Sequence, residues 1–240
     1  SMRNNRLGVL GHYYGGMLDV YTDLTKQSST FGTHIEMLEM CELKKYRDEV
    51  TTAEVEAKIA EFNTTFDVVP ECEQKEIERA ARTSVALDKL IENHKLGSLA
   101  YYYEGEPGNE YENIVTSVIA GNTLLTGKNI PVAGECEVKN AQAMKIMAEF
   151  GAGGSFSEFY LMDFKDDLFL LTAEGEAVEG PTLQIGNTNS RYKFSLPAKK
   201  FIDEWSKQGP AHHCAIGVGN IADKIEKLGK LLNIEVIRVC

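Results

Sequence analysis

Three short stretches of this sequence combine residue types that do chemistry with surroundings that could aim them. Glu135 and Glu137 lie in Gly134-Glu135-Cys136-Glu137, between what reads as a strand end and a helix. Carboxylates there occupy the place where α/β folds gather ligands, at the carboxyl ends of strands. They are equally at home as plain acids near a helix N-terminus, where negative charge is favourable. Glu158 follows a glycine-rich turn in Ser155-Phe156-Ser157-Glu158-Phe159-Tyr160. Its aromatic flanks point to partial burial, which obliges a carboxylate to find a cation or hydrogen-bond donors. A strand glutamate facing solvent is the alternative. His212-His213 come after Gly209-Pro210-Ala211. Neighbouring imidazoles on a strand project to opposite faces, so at most one is expected to face a given site. They also lack the H-x-x-x-H spacing that puts two imidazoles on one helical face.

A fourth stretch, Gly217-Val218-Gly219-Asn220-Ile221-Ala222, is a G-x-G-x-x-A between a strand and a helix. Such glycines can let a phosphate approach backbone N–H groups at the helix start, and Glu235 stands near the following strand as a ribose-binding acid would. A tight turn explains the same residues. A dinucleotide fold also needs further βαβ units beyond its fingerprint, and here one strand follows.

The elements that must position these groups alternate. Residues 6–11 read as a strand ending in glycine, and Thr51-Thr52-Ala53-Glu54 resembles a capping box ahead of a helix over 55–62. The apolar stripe over 76–91 predicts a second helix, 99–103 a strand, 113–120 a third helix, 131–133 a strand end and 139–150 a fourth helix. Strands follow over 155–164, 168–172 and 181–185, then a helix over 197–207, a strand over 212–216, a helix over 221–232 and a closing strand over 235–239. This pattern predicts an α/β fold, a largely parallel sheet with flanking helices, plus a smaller strand-rich C-terminal part. The expected units are an α/β domain over 3–150 and a C-terminal portion over 151–240.

The totals restrict the function. A formal net charge of −11 on 240 residues argues against a nucleic-acid binder, whose affinity rests on Lys and Arg. No apolar run approaches membrane-spanning length and no signal peptide is visible, so the expected compartment is the cytoplasm, with no membrane partner. The five cysteines are scattered without C-x-x-C spacing and read as reduced thiols.

Taken in order, Gly134-Glu135-Cys136-Glu137-Val138-Lys139-Asn140-Ala141, then Gly154–Tyr160, then Gly209-Pro210-Ala211-His212-His213 resemble the L-arabinose isomerase family. Gly186–Tyr192 and the ending IEVIRV are also similar. The resemblance implies an enzyme that interconverts an aldose and a ketose on a small-molecule sugar, works as a homo-oligomer, and uses a divalent metal, usually Mn²⁺, held by two glutamates and two histidines. It puts the first glutamate on Glu158, as metal ligand and catalytic group, and the last histidine on His213 as metal ligand. His212 and Glu135 are the expected substrate contacts. Two departures accompany it. Family members carry a further α/β domain ahead of the segment beginning at Arg6, and a stretch after residue 164 that holds the remaining glutamate and histidine. Here Asp166-Asp167 run almost directly into LFLLTAEGEAVEG, so an internal deletion near 166–173 is expected. With half the ligand set missing, weak or no metal binding and no turnover are expected. A non-catalytic sugar-binding or scaffold domain is the second expectation, and a nucleotide-binding oxidoreductase built on the glycine stretch the third.

Overall fold

A computed structural model describes residues 2–163, 165, 168–173, 190–192 and 198–239. Its first half is organised by four parallel strands, β1 (Arg6–Gly11), β2 (His34–Leu38), β3 (Ser98–Tyr102) and β4 (Val132–Ala133), in the order β2-β1-β3-β4. β1 has a neighbour on both sides, Leu7 pairing with Ile35 and with Ser98, and its middle is accordingly apolar and buried. β2 lies at the sheet edge and mixes buried with exposed positions.

Helices connect these strands. α1 (Leu24–Phe31) leads into β2, and α2 (Met40–Asp48), α3 (Thr52–Thr65) and α4 (Gln74–His94) lead into β3. α5 (Glu110–Val115) and α6 (Ile119–Gly127) lead into β4, and α7 (Val138–Glu149) follows. Strand alternation divides the core between the two sheet faces. Leu10 and Leu99 pack with Leu43, Leu87, Leu90 and Leu125 from α2, α4 and α6. Leu7, Val9 and Ala100 point the other way, onto Val138, Ala141 and Met144 of α7 and onto Phe156. α3 begins at the capping box expected from sequence: Thr51 accepts from the Glu54 N–H while the Glu54 carboxylate accepts from the Thr51 N–H.

The second sheet is antiparallel, with β5 (Ser155–Asp163), β6 (Leu168–Ala173), β7 (Ser190–Tyr192) and β8 (His213–Ile216) in the order β7-β6-β5-β8. α8 (Ala198–Gln208) precedes β8 and α9 (Ala222–Leu232) follows it. A largely parallel sheet flanked by helices plus a smaller strand-rich C-terminal part is therefore the architecture. Among the described residues no helix is long and apolar enough to cross a membrane.

Two local expectations change. The single helix over 113–120 is two, because hydroxyls and Arg79 take the carbonyls at the end of α5. Ser117 Oγ donates to the Asn113 and Ile114 carbonyls, and Arg79 Nη1 donates to Asn113 O. The closing strand expected over 235–239 joins no ladder among the described residues. It folds back along α9, with Ile234 N donating to Gly229 O and Arg238 reaching Asp223 at 2.7 Å. The strand expected over 181–185 and the junction at Asp166-Asp167 lie outside the described residues.

Candidate functional site

The chain places its candidate residues at the carboxyl ends of β3 and β4, where the antiparallel sheet meets the parallel one. Alternation along β5 puts Phe156 and Glu158 on one face, and the β5–β8 register sets Phe156 opposite Ala215 and Glu158 opposite His213. Phe156 and Ala215 belong to the α7-side core, so this face looks onto the end of the parallel sheet. The Phe156 ring lies 4.7 Å from the His213 ring, centroid to centroid, and forms part of its floor.

Glu135 and Glu137 arrive from the other side, on the turn between β4 and α7. Glu135 and Cys136 both have left-handed backbone, with φ of 52° and 58°. Two consecutive side-chain-bearing residues in that region cost roughly 1–3 kcal/mol each. The turn is held by Cys136 N donating to Tyr101 O and Glu137 N donating to Gly134 O, both at 2.9 Å. Strain of this kind points both carboxylates at one imidazole. His213 Nε2 lies 3.0 Å from Glu135 Oε2 and 3.4 Å from Glu158 Oε2, and its Nδ1 lies 3.7 Å from Glu137 Oε2.

The contacts are ion-pair distances whose geometry falls short of ordinary hydrogen bonds. Both His213 nitrogens, Glu135 Oε2 and both Glu137 oxygens are buried without a hydrogen-bond partner. Buried polar atoms seldom stay unpaired. These gather around His213, with Lys139 Nζ 3.7 Å from Glu137 Oε1, and Glu135, His212 and His213 each offer a ligand atom within 4.8 Å of the others. Oxygen and imidazole donors so gathered could hold a divalent cation. Burial alone would depress the His213 pKa, but the Glu135 and Glu137 carboxylates outweigh it and hold the imidazole up at about 9.

His212 does not follow the expected alternation. β8 starts one residue later, so His212 sits in a bend and turns back, its ring centroid 4.0 Å from that of His213. Asp19, which the sequence reading did not single out, fixes it. His212 Nδ1 lies 2.8 Å from Asp19 Oδ2, and the His212 N–H donates to the same oxygen at 3.3 Å. Hydrogen bonding from His212 holds the Asp19 carboxyl below its usual range, so Asp19 accepts and His212 Nδ1 donates. Nε2 is thereby left to face Glu158, 3.9 Å away. Asp19 is placed by a short 3₁₀ turn, Leu18–Val20, buried through Val20 and tied down by Lys139 Nζ donating to Asp19 O at 2.6 Å. A lone acid in the glycine–tyrosine loop is the signal that was available.

The glycine stretch at 217–222 is a turn. β8 runs antiparallel to β5, whereas a dinucleotide fingerprint follows a parallel strand. A Cβ on Gly217 would come 2.9 Å from Met147 Sδ, so this glycine serves close packing against α7.

Residues 20–153 match the family model of the L-arabinose isomerase central domain. No curated protein matches the chain.

Proposed function

The chain belongs to the L-arabinose isomerase family, and from that premise we propose that its carboxylate–imidazole cluster is the site of an aldose–ketose isomerisation. The observation that carries this reading is the ring of carboxylate oxygens crowded around buried His213. Their chemistry fits Mn²⁺, with Glu158, Glu135 and His213 as the residues that would hold it and His212 Nε2 beside them. A bound cation supplies polarisation of the carbonyl and adjacent hydroxyl oxygens of an open-chain sugar.

The chain's own groups do the rest. Glu158, with 17% of its side chain exposed, takes the proton from C2 of the aldose and returns it to C1 of the enediol, while the O2 hydroxyl proton passes to O1, giving the ketose. His212, held by Asp19, presents a lone pair at Nε2 to a substrate hydroxyl. Phe156 and the buried wall behind His213 exclude water from that side of the cluster.

The resemblance implies one more glutamate and one more histidine from a stretch this sequence lacks. Glu135 makes up one of the two, so the cation is held loosely. Calorimetric titration with Mn²⁺, alongside ketose formation from L-arabinose, tests this. Expected are binding weaker than micromolar and turnover only with the cation in excess. Absence of both heat and turnover at millimolar Mn²⁺ overturns the cation site, and sub-micromolar binding overturns the loose one.

A second reading, a non-catalytic sugar-binding domain, draws support from the charge state of His213. Held up at about 9, it is an imidazolium that balances its carboxylates without any metal. Sugar binding unaffected by Mn²⁺ would favour it.

A further inference from the structure

Away from that cluster, the helices α2, α3 and α4 enclose a groove of about 650 Å³. Arg47, Arg79 and Arg82 line it together, all half-buried. Elsewhere among the described residues a half-buried or buried cation has an acid beside it. Lys58 has Asp88 at 2.7 Å, Arg6 has Glu36 at 2.5 Å, and Arg79 itself has Glu76 at 2.7 Å. Arg47 and Arg82 have none among the described residues. Arg47 donates only to neutral oxygens, Nε to Thr83 Oγ1 at 2.9 Å and Nη2 to Asn113 Oδ1 at 2.7 Å. Arg82 Nη1 donates to the Val50 carbonyl at 2.6 Å.

Two guanidiniums with no acid in ion-pair contact, Asp48 acting on Arg47 only from a distance, are an odd arrangement in a chain carrying 36 acids against 25 bases. Burial, then Arg82 and Arg79, push the Arg47 pKa down, so the charges feel one another. Each also keeps N–H groups unused: Nη1 on Arg47, and Nε with Nη2 on Arg82. A guanidinium fork matches the oxygens of phosphate in geometry as well as in charge.

We infer that this groove binds a phosphoryl oxyanion between Arg47 and Arg82. Glu56 and Glu78 line the same groove, exposed, and pair with neither arginine. As acceptors they suit hydroxyl groups, so a phosphorylated polyol gains hydrogen bonds there that bare phosphate cannot make. The groove shares no residue with the carboxylate–imidazole cluster, so the inference stands apart from the isomerase reading.

Titration calorimetry on the whole chain, with inorganic phosphate and with ribose 5-phosphate at constant ionic strength, tests it. Both should bind saturably, the sugar phosphate more tightly. Arg47→Met and Arg82→Met should each weaken binding by at least about tenfold, while Glu158→Gln leaves it unchanged. Phosphorus NMR linewidths of phosphate with the unaltered protein give the same answer should either arginine variant fail to fold. No saturable binding below about 10 mM, binding indifferent to both arginine changes, or loss of binding in Glu158→Gln would each overturn the inference. Equal affinity for the two ligands overturns the preference for a polyol.

Discussion

Glu158 and His213 are direct cross-strand partners: the β5–β8 ladder sets them opposite each other, with Glu158 Oε2 3.4 Å from His213 Nε2. Their separation is thus fixed by backbone pairing and owes nothing to loop conformation. A site built on paired strands holds its groups more firmly than one built on loops.

Replacing Glu158 by Gln keeps shape and removes charge. The ladder should survive, with a melting temperature within a few degrees of the parent. Mn²⁺ affinity should fall by more than about tenfold, since even outer partners of a metal commonly matter that much. Calorimetry beside a melting curve separates the two effects.

Mn²⁺ binding should also depend on pH, with a sign that follows from His213. Its folded pKa of about 9 means the imidazolium predominates at neutral pH, and a cation needs the neutral ring. Apparent affinity should therefore rise as pH increases, by up to about tenfold per unit, and level off above pH 9. Titration in buffers of different ionisation enthalpy should register close to one proton released. A pH-independent affinity would place the cation away from His213.

Asp19→Asn should disturb His212 without touching the cation ligands. Asparagine can offer its amide N–H where the carboxylate could only accept, which releases the Nδ1–H tautomer. Nitrogen NMR of the two His212 ring positions should show the change. Turnover should drop about 10–100-fold while Mn²⁺ affinity stays within about threefold.

At the opposite end of α4, His94 Nδ1 lies 2.7 Å from Glu36 and Nε2 lies 2.6 Å from Glu42. The hydrogen bond with Glu42, then that with Glu36 against the cost of burial, raises its pKa above 6.5. A raised folded pKa gives stability that is fully present below about 6.5 and is lost as pH rises through the folded value. Denaturant midpoints should decline over that alkaline-side window in the parent protein and stay flatter in His94→Gln.

Gly11→Ala addresses the backbone. At φ +82° an added Cβ would run into the Tyr102 carbonyl oxygen, which accepts the His12 N–H at 3.0 Å. A loss of roughly 2–4 kcal/mol is expected from left-handed strain and the displaced strand end. Chemical denaturation measures it.

Much of this fold was legible because its signals are local. Thr51 and Glu54 form their capping box within four residues, and the stripe over 76–91 lies wholly inside α4. Residues 24–48 went unread for a physical reason. β2 is an edge strand with a mixed pattern, and α1 is polar, so tertiary packing rather than periodicity defines them. Even so, Asp23 capping α1 and left-handed Gly32 ending it are local marks that could have located that helix. In the site, the carboxylates and imidazoles were visible as types. Asp19 was not, because its partner is remote in sequence. The alternation expected at His212-His213 fails because a one-residue shift in the start of a strand decides which side chains obey it.

The four-residue β5–β8 ladder also insulates the site from changes in chain length. Between Asp163 and His213 the chain adds β6 and β7 on the side of β5 away from β8, so the Glu158–His213 pair stands on the other edge of that strand. Doubling the length of a flexible connection costs only about 0.6 kcal/mol in closure entropy. A lineage, or an engineer, can thus lengthen or shorten a connection on the β6–β7 side while Glu158 and His213 keep their places. Ligand number becomes a modular property in such a scaffold, adjustable by what those connections carry.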